Sequence, residues 1–309
     1  MTEPAVWEAL ATALEAGRPV ALAVVVGSRG SSPGRAGAVM VVDGSGLVAG
    51  TVGGGAAEAR VLAPVVEGLR RGELAAGVVQ LTHRPGSETA SGMICGGEQQ
   101  VAFAAVDAEH LDDVRTVAAA VAAGDRIAWT VGAGGWALGE AAPSAEWSHT
   151  IVSGPSHEVW VIGGGHVGLA LSRVLVPLDF RVVVVEERPG ITTFEANTWA
   201  HRRVTLPYGA LAEVVPAGER TYVAVMTAGA ASDAVALDAL WDHPVGYLGI
   251  LGSRAKVARL LRGRGGPTDL PPHVRAPMGL PIGSHTPAEI AVSVAAELVA
   301  VRGTSPDRW

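Results

Sequence analysis

The chain has 309 residues, 49% of them hydrophobic and 17% charged, a composition that belongs to a folded globular chain and excludes disorder. That length admits two domains of ordinary size, each with its own core. A formal net charge of −7 argues against broad binding to nucleic acid or to an anionic membrane surface, and a single cysteine excludes an intrachain disulfide and any multi-cysteine zinc site.

The opening, MTEPAVWEALATALEAG, carries acids where a signal peptide needs a basic segment, and no run of about 18 apolar residues follows, so a cytoplasmic protein is expected. Trp7, Leu10 and Leu14 fall at helical spacing and predict a helix from Thr2 to Ala16. Pro19–Val26 reads as a buried strand. The loop GSRGSSPGRAG leads to a strand at Ala38–Val42, and Asp43-Gly44 turns it into a hairpin with Leu47–Ala49. Gly53-Gly54-Gly55 then opens a helix that runs to Arg71. Two readings apply to that start: an oxyanion or phosphate cradle with Glu58 as a polar contributor, or a tight connection in which Glu58 answers the helix dipole.

Strands are expected at Gly77–Leu81 and Gln99–Ala105, separated by a polar loop that holds Cys95-Gly96-Gly97. A thiol followed by two glycines is accessible to a ligand in principle, which makes Cys95 a candidate on the substrate side. The other reading of a lone cysteine with no histidine partner in sequence is a buried small residue. A helix at Ala108–Ala123 and strands at Ile127–Val131 and Trp136–Leu138 complete this half. From Ala141 to Ser156 the composition turns to Pro, Ser, Glu and His without periodicity. The expected division is therefore 1–145, a linker at 146–156, and a second domain at 157–309.

The second domain opens on VWVIGGGHVGLALSRVLVPLDFRVVVVEER. Gly163, Gly165 and Gly168 give G-x-G-x-x-G between an expected strand and an expected helix, and Glu186 follows Gly168 by 18 residues. Gly163 permits the tight turn, Gly165 lets backbone approach a pyrophosphate, and Gly168 lets the helix lie close to the strand. The N–H groups of the first turn, at His166 and Val167, face the phosphates. Glu186 is placed to accept from an adenine ribose diol, which favours NAD, while Arg188 is placed to meet the 2′-phosphate of NADP.

Strands follow at Arg203–Thr205, Thr221–Met226 and Val245–Leu251, with a helix at Ala231–Trp241 between the last two. This alternation predicts a doubly wound parallel sheet. Thr227, directly after one strand, and Ser253, Arg254 and Lys256, after the next, join the candidate cofactor-binding residues. Ser253 is the expected N-cap of a helix whose basic first turn offers an anion site. Near the end, Thr286-Pro287-Ala288-Glu289 is a capping box, and Glu289, Ser293 and Glu297 form a polar line at i, i+4 and i+8 of the last helix, expected to be a solvated face.

The ordered set SSPGRAGAVM, GTVGGGAAE, CGG, VIGGGHVG, VVEERPG, GILGSRAK, APMGLPIG and TPAEIAVSVAAE resembles the XdhC/CoxI family, whose members are named as xanthine dehydrogenase accessory factors. The resemblance spans nearly the whole chain. It implies an α/β protein with a C-terminal Rossmann-like doubly wound parallel sheet, a smaller N-terminal α/β domain, and a homodimer. It also implies a molybdenum cofactor-binding chaperone that serves a molybdoenzyme. Two departures bear on that role. Ala56 stands where the family's Gly-Gly-Cys-x-Glu has its cysteine, and alanines fill the segment after Met226 where the family often has a histidine, with Asp233 kept.

Two functions are therefore expected. One is an NAD(P)-dependent oxidoreductase acting on a small molecule held between the domains, with His166, Glu58 and Cys95 as the candidate catalytic residues. The alternative is the molybdenum cofactor chaperone, which docks on a xanthine dehydrogenase-type enzyme.

Overall fold

The computed structural model describes residues 3–30, 32–82, 97–140, 146–262 and 270–304. Two compact units divide between Gly154 and Pro155.

In the first unit the elements run α1 (Glu3–Glu15), β1 (Val20–Arg29), β2 (Val39–Asp43), β3 (Gly46–Gly50), α2 (Gly55–Arg71), β4 (Gly77–Thr82), β5 (Glu98–Val106), α3 (Leu111–Ala122), β6 (Ile127–Gly132), β7 (Gly135–Leu138) and β8 (Ser148–Ser153). Five strands make a sheet in the order β3-β2-β1-β5-β4, with antiparallel neighbours throughout. The unbroken apolar run of β1 is explained by burial on both faces. Val20, Leu22 and Val24 join the core beneath α1 and α3, while Ala21, Ala23 and Val25 join Val61 and Val65 of α2. Trp7 of α1 meets Trp129 of β6 edge-on at 5.4 Å.

The stretch expected as a linker contains β8, which runs antiparallel to β6 in the three-stranded sheet β7-β6-β8. Its inward positions, Ile151 and Ser153, are too few to show a period in the sequence.

The second unit comprises β9 (His157–Ile162), α4 (His166–Leu175), β10 (Phe180–Glu186), α5 (Thr192–Glu195), β11 (Arg202–Thr205), α6 (Leu211–Val214), β12 (Gly218–Val225), α7 (Ala230–Leu240), β13 (Val245–Ile250), α8 (Arg254–Leu260), β14 (Val274–Arg275) and α9 (Pro287–Thr304). Its sheet is parallel, in the order β11-β10-β9-β12-β13-β14. This is the Rossmann order, in which the chain reverses its direction of winding at β9 and ligands gather at the carboxyl ends of the strands beside that point. Alternate residues again feed two cores: Trp160 and Ile162 face α6, α7 and α8, whereas Val159 and Val161 face α4 and α9. Between β10 and β11 the crossover helix is reduced to the single turn of α5.

The capping box forms as its sequence predicts: the Glu289 carboxylate accepts from Thr286 N at 3.0 Å, and Glu289 N donates to the Thr286 hydroxyl at 3.3 Å. The polar line behind it is not a solvated face. Ser293 and Glu297 are buried, and both hold the Met278–Leu280 segment, through Ser293 Oγ to Leu280 O at 2.6 Å and Gly279 N to Glu297 Oε2 at 2.8 Å. That segment needs donors and acceptors from a neighbour because it lies outside any helix or strand.

No helix among the described residues is long and apolar enough to cross a membrane.

Candidate functional site

β9 ends at Ile162 and the chain turns at once into α4. Gly163 has φ +122°, and a Cβ there would lie 2.5 Å from Met226 O, so only glycine fits. Its N–H donates to Val185 O at 2.8 Å. At Gly168 a Cβ would lie 2.4 Å from Gly163 O, which fixes how closely α4 approaches the turn. Gly165 differs from both: it takes an extended φ of −72° as N-cap, and a Cβ there meets nothing within 4 Å. The space beside it is open. Among the described residues no side chain caps this helix start, so the first-turn N–H groups of His166 and Val167 keep the orientation in which helices receive anions. His166 itself is exposed.

Gly164, between the two special glycines, is enclosed. Its carbonyl accepts the Thr193 hydroxyl at 2.5 Å, and a Cβ would lie 2.6 Å from Phe194 Cβ. Its N–H donates to Glu186 Oε2 at 3.0 Å. Thus α5, though only one turn long, braces the glycine turn from the side.

Glu186 closes β10 and has no exposed surface. Besides Gly164 N it accepts Arg188 N at 3.1 Å, Arg188 Nε and Nη2 at 2.9 Å each, and the Tyr208 hydroxyl at 3.1 Å. Burial pushes the carboxyl up, but the Arg188 guanidinium, the Arg188 and Gly164 amides and the Tyr208 hydroxyl outweigh it and hold the group down to about 2. Burial and the neighbouring charge of Glu186 raise the Tyr208 phenol, which stays a donor. The carboxylate expected to receive a ribose is thus already occupied by the protein's own donors. Tyr208, Thr193 and Phe194 were not foreseen as neighbours of the turn. Tyr208 carried a signal, since a buried tyrosine needs a partner for its hydroxyl.

At the tip of β12, Thr227 donates to Asp233 Oδ1 through its N–H at 3.1 Å and its hydroxyl at 2.6 Å. Asp233 is fully buried in the first turn of α7, and its second oxygen forms an ion pair with Lys256 Nζ. Lys256 Nζ also donates to Leu251 O at 3.2 Å. Ser253 caps α8 as expected, accepting Lys256 N at 3.3 Å. Arg254 is exposed, but Lys256 is turned inward, and its charge is matched by Asp233 rather than offered to an anion. Gly163, Gly165, Gly168, Glu186, Arg188 and Thr227 therefore come together around one turn, and Ser253 and Lys256 are connected to it through Asp233.

In the first unit, Glu58 Oε2 accepts the Thr51 hydroxyl at 2.6 Å and Gly54 N at 3.1 Å. The carboxylate thus holds the glycine turn at the start of α2, the place an outside anion would take. Gln99 fastens the neighbouring loop: its amide donates to Val52 O at 2.5 Å, and the Ser32 hydroxyl donates to its Oε1 at 3.2 Å. A Cβ at Gly34 would lie 2.2 Å from Val52 O, so the loop at Gly34 and the GTVGGG turn are tightly packed together. Ala56 falls in the first turn of α2. Cys95 lies outside the described residues.

Comparison with known proteins matches both halves. A family model described as the XdhC Rossmann domain matches residues 159–298, and one described as the XdhC and CoxI family matches residues 13–81. The chain is 29% identical over 296 residues to the uncharacterized protein YqeB of Escherichia coli (strain K12), covering 93% of this chain and 44% of that one. It is 31% identical over 149 residues to a probable xanthine dehydrogenase subunit of Bacillus subtilis (strain 168), covering 48% of this chain and 44% of the other. The chain spans less than half the length of these curated relatives. A crystal structure of a xanthine dehydrogenase from Bacillus halodurans shares the fold, with a TM-score of 0.73 at 21% identity, over 99% of this chain and 97% of that one. With both family models matched in order and the Rossmann sheet in the second unit, the chain belongs to the XdhC and CoxI family.

Proposed function

We propose that the chain is an accessory protein of a xanthine dehydrogenase-type molybdoenzyme and holds a dinucleotide at the Gly163–Gly168 turn. The observation that carries the dinucleotide is Gly165, where open space meets an uncapped helix start at the carboxyl edge of a parallel sheet. The names of the Bacillus relatives support the molybdoenzyme as partner. The polar side chains around the turn favour binding over catalysis, because Glu186 and Asp233 are engaged with Arg188 and Lys256. Molybdenum cofactor is the cargo that the family resemblance suggests. With Ala56 in place of a cysteine, its sulfur ligand would have to come from Cys95.

A second reading is an NAD(P)-dependent oxidoreductase acting on a small molecule. His166 favours it: this imidazole stands exposed at the first turn of α4, beside the glycine turn, where it can hydrogen-bond a ligand. A bound nicotinamide would supply the hydride chemistry, and the chain would orient it.

Native mass spectrometry of the purified protein with NAD, NADP or molybdenum cofactor tests the first reading. The expected result is uptake of a dinucleotide that Gly165→Val abolishes, together with a complex when the molybdoenzyme is added. Unchanged dinucleotide uptake in Gly165→Val would mean that the ligand sits elsewhere. Turnover followed at the nicotinamide absorbance band, with His166→Ala reducing kcat, would transfer the case to the oxidoreductase.

A further inference from the structure

Resting on the dinucleotide reading above, we infer that Arg188, anchored on the buried carboxylate of Glu186, is the specificity residue of the site and selects a nucleotide bearing a 2′-phosphate, so that the ligand is of the NADP class.

An unmodified ribose is recognised when its hydroxyls donate to a carboxylate at the tip of the second strand. Glu186 occupies that place in the fold, yet its side chain is 0% exposed, and its two oxygens already receive Gly164 N, Arg188 N, Arg188 Nε, Arg188 Nη2 and the Tyr208 hydroxyl. A diol arriving there finds no acceptor without dismantling contacts that also hold the glycine turn.

What the strand tip presents to solvent is the arginine. The Arg188 side chain is 43% exposed. A guanidinium has five N–H donors, of which the fork on Glu186 uses two, leaving three to point away from the carboxylate. Those three suit a phosphomonoester dianion, which accepts charge-assisted bonds from a planar fork. The neighbouring acid makes no hydrogen bond to them among the described residues: Glu187 Oε2 accepts Tyr208 N at 3.2 Å, and Glu187 acts on Arg188 through its charge alone. The usual roles are therefore exchanged: the acid at the strand tip positions a base, and the base reads the nucleotide.

The test is a fluorescence titration of the full chain with NADPH and with NADH, and competition of bound NADPH by 2′,5′-ADP and by 5′-AMP. NADPH is expected to bind at least tenfold more tightly than NADH, and 2′,5′-ADP to compete at least tenfold better than 5′-AMP. Arg188→Gln, checked for folding by circular dichroism, is expected to erase both preferences while leaving NADH affinity within about twofold. If that variant does not fold, the two wild-type comparisons decide the matter alone. Equal binding of NADH and NADPH, both lost in Gly165→Val, overturns the inference and leaves the dinucleotide reading standing. Binding of neither nucleotide overturns the dinucleotide reading and this inference with it.

Discussion

The hydroxyl of Tyr247, on β13, donates to Oε1 of Glu297, on α9, at 2.7 Å, and both side chains are buried. The other carboxylate oxygen holds Gly279 N, so one acid on the last helix fixes a strand and a loop at once. Burial, reinforced by the Glu297 charge, raises the Tyr247 phenol well above its usual range, so the proton remains available to donate. Tyr247→Phe leaves a buried acceptor short of a donor and is expected to cost about 1–3 kcal/mol. Urea unfolding of the variant beside the parent chain measures the loss. An unchanged midpoint would show that water replaces the hydroxyl.

The Glu186 cluster predicts an acid-sensitive contribution to stability. In the folded chain the carboxyl titrates near 2, against an ordinary value of 4.5, so the unfolded state takes up the proton first. The contribution is complete above pH 4.5 and is lost as pH falls towards 2, in total about 3 kcal/mol. Unfolding curves recorded between pH 5 and pH 2.5 should steepen in their pH dependence there. In Glu186→Gln that component should be missing.

The first two glycines of the motif should respond differently to the same small change. Gly163→Ala puts a Cβ 2.5 Å from Met226 O at φ +122° and is expected to destabilise the second unit by about 2 kcal/mol or more. Gly165→Ala meets nothing within 4 Å and should stay within about 0.5 kcal/mol of the parent. Thermal unfolding separates them, and equal losses would mean that the turn relaxes around either methyl.

Lys256→Met removes the partner of a fully buried carboxylate. The lysine is 28% exposed, so the loss falls short of that for a wholly buried pair and is expected to be about 2 kcal/mol. Arg254→Met, on an exposed side chain two residues away, should shift stability by less than about 0.5 kcal/mol. Denaturant titration of the two variants gives the comparison, and similar values would remove the Asp233–Lys256 pair from the account.

Much of the architecture was legible because long apolar runs punctuated by glycine have few alternatives. Pro19–Val26, Val159–Ile162, Val182–Val185 and Thr221–Met226 all became central strands, and the capping box at Thr286 marked a helix start to the residue. β8 was missed because a half-buried strand that ends on Ile151 and Ser153 offers too little contrast. The polar line of α9 was misread as a solvated face because Ser293 and Glu297 meet a backbone carbonyl and amide, which carry no sequence signal, and the Tyr247 hydroxyl, 50 residues from Glu297. At the candidate site, the glycines announced the turn by spacing alone. The engagement of Glu186 stayed hidden, since two of its donors, Gly164 N and the Tyr208 hydroxyl, each lie 22 residues away in sequence. The fold of Arg188 back onto the carboxylate two residues before it carries no sequence signal either.

Gly163 has a mechanical consequence as well. Its α-carbon rests against the carbonyl of Met226 with no room for a methyl between them, and Thr227 next to that carbonyl is fastened to Asp233, which is fastened in turn to Lys256. Two loops that belong to different strands are therefore joined by one run of contacts, from the mouth of β9 to the first turn of α8. A ligand seated on the first loop would thus touch the same network of contacts that orders the second, through Met226, Thr227 and Asp233.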